Sequence, residues 1–106
     1  MGFELTAQFK NHNWLKEHID SIKNQIVKLP SFVADKGNNE FWLKDPQSKN
    51  SWDYDARIFI RENDIFLEMS VSTDAFFRDV RSLVTELSKN TEIVLIDDDG
   101  DEYSFE

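Results

Sequence analysis

The sequence predicts an α+β domain: a two-layer sandwich with a mainly antiparallel sheet and two helices on one face. Three observations carry this. Several stretches alternate apolar and polar residues with period two, two segments repeat apolar residues at intervals of three and four, and short polar turns join the strand-like stretches. Two amphipathic helices each need a greasy surface, and one face of an antiparallel sheet provides it. The chain has 106 residues, 40% of them apolar, including nine Phe and three Trp. That suits a single domain over residues 1–106 with one core. Only three Gly and two Pro argue against a low-complexity chain.

The elements follow in order. Over residues 3–10, Phe3, Leu5, Ala7 and Phe9 share one face, opposite Glu4, Thr6, Gln8 and Lys10, which reads as a half-buried strand. Asn11-His12-Asn13 offers an N-cap to a helix over about 13–28 carrying Leu15, Ile19, Ile22, Ile26 and Leu29, stopped by Pro30. After a turn at Asp35 to Asn39, Phe41-Trp42-Leu43 reads as a short strand over 40–44, and Asp45 to Ser51 as a loop. Ala56, Ile58 and Ile60, then Ile65, Leu67, Met69 and Val71, alternate across the tight turn Glu62-Asn63-Asp64 as a hairpin. Thr73 is placed to cap a helix with Phe76, Val80, Leu83, Val84 and Leu87 on one face, ending near Lys89-Asn90, where Asn90 suits a left-handed position. Ile93 to Ile96 and Glu102 to Phe105 read as a last hairpin, with Asp99-Gly100 as its mirror-image type I′ turn. The expected order is β-α-β-β-β-α-β-β.

Charge departs most from the ordinary. Twelve basic and 21 acidic residues give a net of −9. Residues 1–52 balance at +1 and residues 53–106 at −10, so the whole imbalance is C-terminal. Such a field repels nucleic acid and anionic membranes and attracts a basic partner, although the same acid also favours solubility on its own. Direct nucleic-acid binding and membrane binding are therefore not expected. Cys is absent, which removes disulfide and thiolate chemistry. The sequence opens without a basic segment leading into an apolar run, and its apolar runs are far short of the ~20 residues that span a bilayer, so the cytoplasm is the expected compartment.

Two constellations stand out. Asp97, Asp98, Asp99, Asp101 and Glu102 place five carboxylates in six residues, with Tyr103 beside them. An EF-hand aligned on Gly100 would put its first ligand on Leu95, which has no side-chain oxygen, so no metal or other cofactor is expected there. A solvated turn that uses Asp for its turn propensity explains the cluster as simply as an electronegative docking surface does. Trp52-Asp53-Tyr54-Asp55 interleaves aromatics and acids at a loop-to-strand boundary. Trp and Tyr anchor interfaces at low entropic cost, yet they serve equally well to close an edge of a core. His12 and His18 are six residues apart and would not share a helical face as a metal pair would, and neither sits in a nucleophile motif, so no catalytic residue is assigned and the chain is not expected to be an enzyme.

A short acidic chain without catalytic motifs, its acid gathered at Asp97 to Glu102 and its aromatic–acid pairs at Trp52 to Asp55, resembles the immunity proteins of bacterial toxin–immunity systems, including those of contact-dependent growth inhibition. The likeness is one of profile over the whole chain, because these families share no motif. It implies binding and neutralisation of a cognate toxin domain, often a nuclease with a basic surface. The contact residues expected from charge and aromatic placement are Asp97, Asp98, Asp99, Asp101, Glu102, Tyr103, Trp52, Asp53, Tyr54 and Asp55. Two other classes stay open: an acidic nucleic-acid mimic that inhibits a DNA-binding or restriction enzyme, and an enzyme using the carboxylates with a divalent ion. Oligomeric state is not legible.

Overall fold

The computed structural model describes residues 3–45, 53–69 and 74–104, with backbone alone for Asp74 and Ala75. The opening alternation becomes β1 (Phe3–Phe9). Asn11 caps the next helix as expected, its Oδ1 accepting the Trp14 N–H at 3.2 Å. That helix is not continuous, however. It divides into α1 (His12–Glu17) and α2 (Ile19–Val27) at His18, whose backbone leaves the helical region at φ −117° and ψ 16°. The imidazole lies over the Trp14 ring at 4.2 Å, and its Nδ1 is 2.7 Å from the Trp14 carbonyl. A carbonyl oxygen only accepts, so Nδ1 carries the proton. The apolar spacing passes unbroken through His18, which is why periodicity alone reads one helix.

Residues 32–43 form a hairpin of β2 (Phe32–Gly37) and β3 (Glu40–Leu43). β2 is an element the sequence reading does not place, assigning Asp35 to Asn39 to a turn, because it is irregular: its pairing with β3 shifts register twice, and its inward positions Phe32 and Ala34 are only half-buried. Asn38 and Asn39 sit at φ 54° and 63° between the paired residues Gly37 and Glu40, so a mirror-image turn lies here. The expected central hairpin is present as β4 (Ala56–Ile60) and β5 (Asp64–Met69). It is followed by α3 (Asp74–Ser88) and β6 (Ile93–Asp97). Thr73 and Val71 fall outside the described residues. α3 closes with Lys89 and Asn90 N–H groups donating to Glu86 and Leu87 carbonyls, a tightened last turn in which Asn90 keeps a negative φ in place of the expected left-handed one.

Among the described residues the order is therefore β-α-α-β-β-β-β-α-β. All pairings in the six-stranded sheet β2-β3-β4-β5-β1-β6 are antiparallel. The expected last strand is reduced, among the described residues, to a single bridge between Ile96 and Glu102. Register puts Phe41, Ile58, Leu67, Leu5 and their strand neighbours on one face. Leu15, Ile22, Ile26, Phe76, Val80, Leu83 and Leu87 from the three helices join them in one buried cluster, so the helices cover that face. Asp79 anchors α3 to the chain entering β2: its Oδ2 accepts from the Ser31 hydroxyl at 2.5 Å and the Ser31 N–H at 3.1 Å, with both residues buried. None of the described helices is long and apolar enough to cross a membrane.

Candidate protein-interaction surface

The acid turn grows from the end of β6, an edge strand. Gly100 N–H donates to the Asp97 carbonyl at 3.0 Å, Asp97 N–H donates to the Asp101 carbonyl at 2.8 Å, and Gly100 has φ +86°. Asp98 and Asp99 do not have positive φ. The loop is thus an ordinary turn closed by a left-handed glycine, not the expected type I′ turn, which needs positive φ at both central residues. Asp97 organises it, since Oδ1 accepts the N–H groups of Asp99 and Asp101 at 3.0 Å each. Asp98, Asp99, Asp101 and Glu102 stand exposed around it. Among the described residues no Lys or Arg lies within ion-pair distance of these five carboxylates. Ligand atoms of Asp97, Asp98 and Asp99 come within 4.8 Å of one another, but one Asp97 oxygen is committed to backbone amides. Tyr103 turns away from the acids. Its N–H donates to the Leu95 carbonyl at 2.8 Å, and its ring packs on Phe3 with centroids 5.6 Å apart, at the rim of the core.

The second expected cluster separates into three fates. Trp52 lies outside the described residues. Asp53 is exposed. Asp55 is fully buried at the start of β4, where its Oδ2 accepts the Asp45 N–H at 3.2 Å and lies 4.0 Å from Lys44 Nζ. It fastens the chain between β3 and β4 and so leaves the set of surface contacts. Tyr54 joins a group on the sheet face away from the helices: its ring meets Trp42 at 4.7 Å, and the Arg57 guanidinium lies 4.8 Å from its centroid. The pairings Ala56–Met69–Phe3 and Leu5–Asp97 put both acid–aromatic segments at the same end of the sheet, three strands apart, or roughly 14 Å.

That outward face is the feature the sequence reading missed as a surface. Arg57 bonds Glu68 through Nε at 2.9 Å and Nη2 at 2.5 Å and reaches Glu40 at 3.7 Å, while Trp42 Nε1 donates to Glu40 at 2.7 Å. Burial alone would lower the Arg57 pKa, but the hydrogen bond and charge of Glu68, with Tyr54 and Glu40, more than offset it and hold it above its ordinary value. Phe59 and Phe66, also outward, pair across β4 and β5 with centroids 5.9 Å apart. The signal was in the text: Trp42, Phe59 and Phe66 occupy alternating positions that a water-facing sheet normally gives to polar residues. At the other end of the sheet an open depression is lined by Gln8, Lys10, His12, Asn63 and Asp64, with Asp64 already paired to Arg61 at 2.5 Å.

Comparisons with models of known families, with curated proteins and with solved structures give no match to this chain.

Proposed function

We propose that this chain is a protein-binding domain that receives the basic surface of a partner on its acid turn, and that the partner is a cognate toxin domain, a basic nuclease in the reading that the immunity-protein resemblance implies. The observation that carries this is the turn itself: five carboxylates at 97–99, 101 and 102 are grouped on one edge with no described cation paired to them, in a half-chain of charge −10. Surface acids that stabilise a fold are commonly interleaved with Lys and Arg, whereas unpaired ones raise the local potential and speed encounter with a cation-rich partner. Carboxylates spaced along such a turn can occupy the sites where a nuclease binds phosphates. A nuclease toxin acts inside the cell, so this reading places its inhibitor in the cytoplasm.

The test is affinity capture from source-cell lysate with the tagged protein and with its Asp98→Asn, Asp99→Asn, Asp101→Asn variant, at low and high salt, followed by mass spectrometry. One dominant basic toxin fragment, held by the parent and lost by the variant, is the expected result. Several DNA-binding proteins released together by salt would favour the nucleic-acid mimic instead, and equal capture by both proteins would remove the turn from the interface.

A further inference from the structure

We infer that the partner's footprint does not stop at the acid turn but continues across the outward face of the sheet, along the row Ile96–Thr6–Phe66–Phe59, and that it takes an apolar side chain flanked by Lys or Arg from a protein partner. This deepens the proposed function and rests on it. Register makes the row continuous: Ile96 pairs with Thr6, Thr6 with Phe66, and Phe66 with Phe59. Glu102 bridges Ile96 and therefore shares its side of the sheet, so the row runs directly into the acid turn. All four side chains are half-buried, and three of them are apolar. A cross-strand Phe pair is explained by sheet stability alone. Ile96 on the edge strand is not explained by that pair and lengthens the apolar strip toward the acids, whereas Val94 on the same face lies toward the depression at the sheet's other end.

Charge selects the occupant. The cations beside the row are already engaged, Arg57 by Glu68 and Glu40 and Arg61 by both carboxylate oxygens of Asp64 at 2.5 and 3.1 Å, with its guanidinium 4.9 Å from the Phe66 ring; Lys36, 4.3 Å from the Trp42 ring, belongs to β2, two strands beyond Phe59. The unpaired charge at the Ile96 end is negative, from Glu102 and the turn. A nucleic acid is repelled there, and a second copy of this chain brings another −9 to a face that borders the same acids. A basic protein surface with an exposed Leu, Ile or Phe matches both parts, with its cation over the turn and its apolar group over Phe66 and Phe59.

The experiment uses the ¹⁵N-labelled full chain and two synthetic peptides of equal charge, one an amphipathic Leu/Lys helix and one with Ser replacing every Leu. The Leu/Lys peptide is expected to shift the amides of Thr6, Phe59, Phe66 and Ile96 together with those of 97–102, and to bind at least tenfold more tightly than the Ser/Lys peptide. A folded Phe59→Thr, Phe66→Thr variant should reduce it to the Ser/Lys affinity, and Ile96→Thr gives the same readout if the double variant fails to fold. Equal affinities with shifts confined to 97–102 would overturn the footprint while leaving the acid turn as the docking point. No shifts with either peptide would overturn both. Row shifts that grow with protein concentration in the absence of peptide would assign the face to self-association and overturn the proposal.

Discussion

Asp53-Tyr54-Asp55 and the segment from Asp97 to Tyr103 have the same chemical character in the sequence, yet the fold gives them different work. The first enters β4, an interior strand of the sheet, and Asp55 is enclosed: its N–H donates to the Leu43 carbonyl at 2.8 Å while its carboxylate serves Asp45 and Lys44. The second leaves β6 at the sheet's edge, where one carboxylate shapes the turn and four face water. What a carboxylate does here is decided by whether its strand has a neighbour on both sides. At the entry to the interior strand Asp55 becomes a fastening, whereas beyond the edge strand all but Asp97 are left to act at a distance.

The contrast breaks most sharply at Asp55. Asp55→Ala removes a fully buried carboxylate that accepts the half-buried Asp45 N–H and lies 4.0 Å from Lys44 Nζ, and should cost about 3 kcal/mol by urea unfolding. A loss under ~0.5 kcal/mol would mean that the site relaxes freely and that Asp55 is no fastening. Asp79→Ala tests the same principle at a helix, stranding the Ser31 N–H and hydroxyl, and about 2 kcal/mol is expected in the same assay. On the exposed side, Gly100→Ala forces a Cβ into φ +86°, although nothing lies within 4 Å of the added carbon; about 1 kcal/mol is expected from backbone conformation alone. Replacing Asp98, Asp99 and Asp101 by Asn should leave the urea midpoint in place or raise it, as mutual repulsion is relieved, while the response of basic-peptide binding to salt weakens. A clear fall in the midpoint would show those acids to be structural. The smallest effect is expected from calcium, magnesium or manganese, which should move the melting temperature by less than ~1 °C; a rise of several degrees would bring back the divalent-ion enzyme.

Much of the fold was legible because the sheet's inner face is uniformly apolar. Strict alternation located β1, β4 and β5, and the three-and-four spacing located the helical segments. β2 was not legible, since a twice-bulged edge strand carries no alternation, and neither was the break at His18, which depends on where one ring comes to rest. Asp99-Gly100 carries the sequence signal of a mirror-image turn, yet that geometry is found at Asn38-Asn39, because both pairs tolerate positive φ and only the strand register distinguishes them. For the candidate surface, sequence located the acids but not their partners. Nothing beside Asp55 in the sequence names the Asp45 amide as its partner, and Tyr103 shows its attachment to Phe3 only once β6 lies beside β1.

The returning segment after the turn has one more effect. By pairing Tyr103 N–H with the Leu95 carbonyl and Glu102 with Ile96, it covers the open side of β6 at its C-terminal end, while β2 at the opposite margin is broken by its register shifts and carries Asp35 and Lys36. Among the described residues, one margin is covered at the end of β6 and the other is irregular, which disfavours extension of the sheet by another chain. In the complex proposed above, recognition then falls to side chains rather than to backbone pairing. A lineage of such domains could change its choice of partner by replacing a few residues outside the core, with the scaffold left as it stands.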